Sequence, residues 1–219
     1  MSLLFFSRVL ANPFRIGYVV PSSPFLTRQT ARRMDFSSDR VIVELGPGEG
    51  CHSRQIAKRM TPNSRLILVE LDRALASHLN RQFDHDRRVT VLQSDALHLP
   101  ESLSSLGLPR CDYIVSGIPF STIEKSTRNR LLSRIADSMD HKSRFIAYQL
   151  TTKLCEESHL FELAGREFCA LNFPPINLME FRRAQDTLCE KTCTEVCCES
   201  PFTPLNRVET STGMPPIPA

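Results

Sequence analysis

The stretch Val41-Ile42-Val43-Glu44-Leu45-Gly46-Pro47-Gly48-Glu49-Gly50 decides the fold. A strand-like run, 41–45, feeds a loop with glycine at alternate positions, and a helical pattern starts near Ser53. Strand, glycine turn and helix in that order bring an approachable backbone and unpaired helix N–H groups to one ligand. A dinucleotide fold asks for G-x-G-x-x-G. Here the spacing is G-x-G-x-G, and Cys51 stands where the third glycine belongs. Glu44, an acid at the strand end, suits a ligand carrying positive charge better than a pyrophosphate.

Outward from this loop, short apolar runs alternate with helical stretches. Strands are predicted at 41–45, 66–69, 89–93, 113–116 and 145–150, apolar on both faces as buried parallel strands are. Helices are predicted at 53–60, 73–83 and 123–139. The alternation predicts a doubly wound α/β sheet. Residues 167–172 and 176–181 read as two more strands, and the short link between them favours antiparallel pairing.

Acids end three successive strands: Glu44, Glu70 and Asp95. Glu70 lies twenty residues past Gly50, where a doubly wound fold sets a carboxylate on a ribose diol. Asp95, followed by Ala96, is placed to accept from an adenine amino group. A pocket for adenosine bearing a cationic, amino-acid-like group is a pocket for S-adenosylmethionine.

The stretch 44–50 resembles the first motif of class I methyltransferases, in the branch of rRNA adenine dimethylases and bacterial phospholipid N-methyltransferases. The likeness spans residues 3–184. It implies a Rossmann-like sheet of seven strands with the last antiparallel. It also implies Glu44, Gly46, Gly48, Gly50, Glu70, Asp95, Ala96, Ser116 and Ser22 around the cofactor.

The acceptor is read from Ser116-Gly117-Ile118-Pro119-Phe120. Adenine dimethylases carry Asn-Leu-Pro-Tyr here, and Gly117 and Phe120 replace the Asn and the Tyr. A Ser-Gly-Ile-Pro stretch is similar to the phospholipid enzymes, as are 12–23, which holds Tyr18, and 171–183. The resemblance therefore implies a lipid amine as substrate, with Gly117, Pro119, Phe120 and Tyr18 at the acceptor. Adenine dimethylases usually add a helical RNA-binding domain, and little helical pattern follows residue 184. An adenine dimethylase without that domain is the alternative, and a protein that binds cofactor or membrane without turnover is another. Tyr148 is a second aromatic candidate. His52 reads as a solvated loop residue or a base.

Composition frames these readings. The chain has 219 residues, 41% apolar and 23% charged, with net charge +3, which points to a globular domain and not to nucleic acid by charge alone. Residues 1–40 hold six Arg against two Asp, and Leu3, Leu4, Phe5, Phe6, Val9 and Leu10 make the start amphipathic. Residues 1–30 are thus expected to pack on the domain or to lie on an anionic membrane. Residues 31–184 are expected to form the methyltransferase domain. The Cys- and Pro-rich tail, 185–219, is expected to be disordered. No apolar run is long enough to span a bilayer and no secretory leader is evident, so the expectation is a cytoplasmic protein peripheral to the inner membrane face. Cys189, Cys193, Cys197 and Cys198 lack the paired spacing of a zinc site, so no metal is expected.

Overall fold

The computed structural model describes residues 22–152, 154 and 159–184, all within the unit Met1–Ala184. The apolar runs become β1 (Val41–Leu45), β2 (Arg65–Glu70), β3 (Val89–Gln93), β4 (Cys111–Ser116), β5 (Met139–Gln149), β6 (Phe161–Cys169) and β7 (Ile176–Arg183). Helix α1 (Pro24–Arg32) precedes β1, and between the strands lie α2 (Cys51–Ala57), α3 (Arg73–Phe83), α4 (Leu99–Ser105) and α5 (Lys125–Asp137). The strands form one sheet in the order β3-β2-β1-β4-β5-β7-β6. The pairs β1–β2, β2–β3, β1–β4 and β4–β5 are parallel. Strand β7 runs antiparallel to both β5 and β6. The expected doubly wound sheet with an antiparallel last strand is therefore present.

Strand order reverses between β1 and β4. In open α/β sheets, the crevice at the carboxyl ends of such a pair is where ligands bind. Side chains alternate across the sheet. Val43 and Leu45 enter a core with Ile67, Ile114 and Phe145 on one face. Ile42 joins Leu66, Leu68, Val115 and Ile146 on the other.

Three elements differ from the sequence reading. Strand β3 is only partly buried because it is the sheet edge, not an interior strand. Strand β6 starts at Phe161 and ends at Cys169; its exposed charged residues and Gly165 hide an edge strand from an apolar-run criterion. Helix α1 lies inside what reads as a basic N-terminal segment. Ser23 caps it by accepting from the Leu26 N–H at 3.2 Å, and Pro24 occupies its first turn. Its inner face is Leu26, Thr27, Thr30 and Ala31, half of it threonine, so the helical period is faint in the sequence. Arg33 fixes the end of α1 through ion pairs to Glu167 and Glu180 at 3.1 and 3.0 Å.

Candidate functional site

The loop between β1 and α2 is held open by its glycines. Gly48 and Gly50 adopt φ of +58° and +72°, a region in which a side chain is strained. A Cβ on Gly48 would meet nothing within 4 Å, so that side of the loop faces open space. A Cβ on Gly50 would sit 2.9 Å from Leu79 and 2.7 Å from Gln82, so Gly50 lets α3 pack close. The Gly46 N–H donates to the Val69 carbonyl at 2.9 Å, tying the loop to β2.

Glu44 shares the inner face with Ile42 and is fully buried. Its Oε2 accepts from the Ser53 hydroxyl at 2.6 Å, and its Oε1 has no partner among the described residues. Burial pushes its pKa up to about 7; the Ser53 hydrogen bond opposes that rise, and nearby Glu70 adds to it. Glu70 is also buried, and it accepts from the N–H groups of Gly48 at 3.1 Å and Asp72 at 2.9 Å. It thus braces the glycine loop from the end of the neighbouring strand. Asp95 follows β3 and accepts from the Leu97 N–H at 2.9 Å, while Ala96 is buried beside it. The three strand-end acids therefore share one edge of the sheet.

The loop after β4 completes that edge. The Gly117 N–H donates to the Leu45 carbonyl at 3.3 Å, and the Ser116 hydroxyl accepts from the Ile118 N–H at 3.2 Å. Gln149, at the end of β5, accepts from the Phe120 N–H at 3.1 Å and donates to the Ile118 carbonyl at 2.8 Å. A buried glutamine that fixes this loop from two sides is a positioning residue missed by the sequence reading. A polar residue closing an apolar strand is the one signal that could have found it.

Beside this loop stands Tyr148. A Cβ on Gly117 would fall 2.2 Å from its hydroxyl oxygen, so glycine is the residue that admits the ring. Ser22 hydrogen bonds with that hydroxyl, and His52 stacks on the ring at 4.3 Å and 14°. Burial raises the Tyr148 phenol well above its usual value. His52 is a correction: it is buried, not solvated, and neither ring nitrogen has a partner among the described residues. Desolvation lowers its pKa to about 3, so it is neutral at pH 7 and too weak a base for an alkylammonium proton.

Phe120 is a second correction. Its ring is 1% exposed and packs edge-on against Phe145 at 6.0 Å, so it belongs to the core and presents no face to an acceptor. Pro119 is buried next to it. Tyr18, the apolar start and the tail cysteines lie outside the described residues.

The Gly117–Tyr148 contact makes a stability prediction. Gly117→Ala is expected to cost about 1–3 kcal/mol through overpacking. In a Tyr148→Leu background the same change should cost less, because the clashing hydroxyl and ring are gone. Equal penalties in both backgrounds, measured by chemical denaturation, would refute the contact.

The sheet order and the glycine loop at its switch point define a class I methyltransferase architecture. Comparisons with known proteins agree. The family model described as Ribosomal RNA adenine dimethylase matches residues 21–115. The chain is 33% identical over 128 residues to the ornithine lipid N-methyltransferase of Singulisphaera acidiphila, covering 58% of this chain and 67% of that one. It is 37% identical over 83 residues to ribosomal RNA small subunit methyltransferase A of Thermosynechococcus vestitus, covering 38% of this chain and 28% of that one. Its fold is similar to that of N-methyltransferase NodS from Bradyrhizobium japonicum WM9, solved with S-adenosyl-L-homocysteine. That match has TM-score 0.61 and 14% identity, and covers 82% of this chain and 96% of that one.

The chain belongs to the class I S-adenosylmethionine-dependent methyltransferases, in the branch that holds both rRNA adenine dimethylases and lipid N-methyltransferases. The cofactor is S-adenosylmethionine, and the residues present fit it. Two buried carboxylate oxygens, Oε1 of Glu44 and Oε1 of Glu49, lack partners among the described residues, and open space adjoins Gly48.

Proposed function

We propose that this chain methylates the amine of a lipid of the phosphatidylethanolamine or ornithine-lipid kind. The observation that carries the reading is the packing of Tyr148 onto Gly117. An adenine dimethylase uses an asparagine at that position, and here the Tyr148 hydroxyl fills the space its side chain would need. The two-thirds coverage of a lipid N-methyltransferase supports the same reading.

When bound, S-adenosylmethionine supplies an electrophilic methyl group on a sulfonium centre. Glu44 would face the cationic end of this cofactor, Glu70 the ribose hydroxyls and Asp95 the adenine. Ser22, Ser116 and Ala96 would shape the rim of the pocket. The Gly117 and Pro119 backbone, held by Gln149, would set the place of the attacking amine. Acceleration would come from alignment and exclusion of water. The amine must be unprotonated to attack, and neutral His52 is not the group that takes its proton.

The test is incubation of the protein with methyl-labelled cofactor and either total lipid extract or total RNA. Label is expected in amine-bearing lipid. Label confined to RNA would replace this reading with adenine methylation. No label in any fraction would favour a binding protein without turnover.

A further inference from the structure

The link between β6 and β7 has an inverted polarity pattern. Leu171 and Phe173 point outward, 65% and 85% exposed, while Asn172 between them is buried. The inward Asn172 is engaged at both ends of its amide: its Oδ1 accepts from the Ser23 N–H and its Nδ2 donates to the Pro174 carbonyl, both at 2.8 Å. The polar side chain is therefore spent on fixing the tip to the start of α1, and the apolar ones are left in water. Such exposure is costly unless something covers it.

The tip stands on the functional edge. Strand β7 runs antiparallel to β5, with Asn177 opposite Gln149, so the β6–β7 turn lies at the carboxyl ends of the parallel strands. Gln149 is the residue that fixes the Gly117–Phe120 loop. The exposed tip and the candidate acceptor loop are thus on one rim.

Helix α1 adds charge to the same surface. Its outer face carries Phe25, Arg28 and Arg32 at helical spacing, and Phe25 is 51% exposed. With Phe168, Ala170 and Leu171 this face lines a groove of about 510 Å³. Arg33 turns inward to Glu167 and Glu180, whereas Arg28 and Arg32 make no ion pair with any described residue. Exposed apolar side chains beside uncommitted guanidinium groups complement a surface that is anionic outside and apolar beneath.

We propose that the β6–β7 tip and the outer face of α1 dock on an anionic bilayer, with Leu171 and Phe173 in the interface and Arg28 and Arg32 on lipid phosphates. This rests on the lipid reading of the site and names the surface that delivers the substrate to it. It uses residues other than the amphipathic start, residues 1–15.

The experiment is flotation of the full chain with vesicles of phosphatidylglycerol and phosphatidylethanolamine, and with vesicles of phosphatidylcholine alone. Wild type is expected to float with the anionic vesicles. Leu171→Ser with Phe173→Ser should lower partitioning by roughly tenfold at every salt concentration. Arg28→Gln with Arg32→Gln should lower it by roughly thirtyfold at low salt, with little effect at high salt. Both variants should keep wild-type cofactor affinity and wild-type turnover of a short-chain amine lipid below its micelle concentration. Wild-type flotation of both variants would overturn the docking surface while leaving the lipid reading intact. Loss of turnover on the soluble short-chain lipid would assign these residues to acceptor binding and overturn docking. A dimer that the Leu171/Phe173 variant makes monomeric would mean a second copy covers the tip. Failure of wild type to methylate any lipid, dispersed or soluble, would sink the functional reading itself.

Discussion

Gly48→Val is expected to weaken S-adenosylmethionine binding by about a hundredfold or more while the domain stays folded. A Cβ there meets no protein atom within 4 Å, and the residue carries the strain of a left-handed conformation, about 1–2 kcal/mol or more for a β-branched side chain. Its branches would project into the open space beside the loop, where the ligand is to lie. Gly50→Val makes the opposite forecast. Its side chain would run into Leu79 and Gln82, so the loss should fall mainly on stability. Glu70→Ala should weaken the cofactor by roughly 10–100-fold, through loss of a charge-assisted acceptor of about 1.5–3 kcal/mol. It also releases the Gly48 and Asp72 N–H groups that Glu70 now holds. Calorimetric titration with thermal melting separates the cases, and wild-type affinity in both Gly48→Val and Glu70→Ala would remove this loop from the cofactor site.

Cofactor affinity should also fall as pH drops below about 7, approaching a tenfold loss per unit in the limit. The group responsible is Glu44. Burial lifts it to about 7, so a large fraction is protonated in the free protein near neutrality. A cationic ligand needs the ionised form, and below this value binding must first expel a proton. The stability linkage has the opposite sign. A carboxyl group raised on folding contributes stability fully at pH below its ordinary value of 4.5, and that contribution is lost as pH rises through about 7. Glu44→Gln should therefore bind more weakly at pH 8, lose the pH dependence of affinity and melt higher than wild type at alkaline pH. A flat affinity profile for wild type between pH 5.5 and 8.5 would exclude Glu44 from facing the positive charge.

The elements that sequence reading found share one property: their signal is local. Strands β1, β3 and β7 start where their apolar runs start; in β1 this is because a buried strand needs apolar residues at consecutive positions. Helix α3 spans Arg73–Phe83 as expected, with Asp72 capping it through the Ala74 and Leu75 N–H groups. Elements whose inner faces are mixed escaped. Helix α4 is short and shows only Leu99 and Leu103 as buried residues. Helix α1 buries two threonines, one of which, Thr30, bonds back to the Leu26 carbonyl at 3.0 Å.

The sequence by itself determined the glycine loop, the run of strands and the acids that end them. Backbone conformation, strand burial and strand ends are set by residues adjacent in the chain. Only the tertiary structure decided what surrounds that frame. Gly117 is legible as a glycine, but its partner Tyr148 arrives from β5, and His52 is drawn out of water by stacking on that same ring. Phe120 reads as a loop aromatic, yet Phe145 gives it a core contact and takes it out of the crevice. Leu171 and Phe173 read as strand and turn residues until Asn172 turns inward to the start of α1 and leaves them facing water. Each outcome depends on side chains far apart in sequence meeting across the sheet, and no local pattern encodes which of them fills a given space.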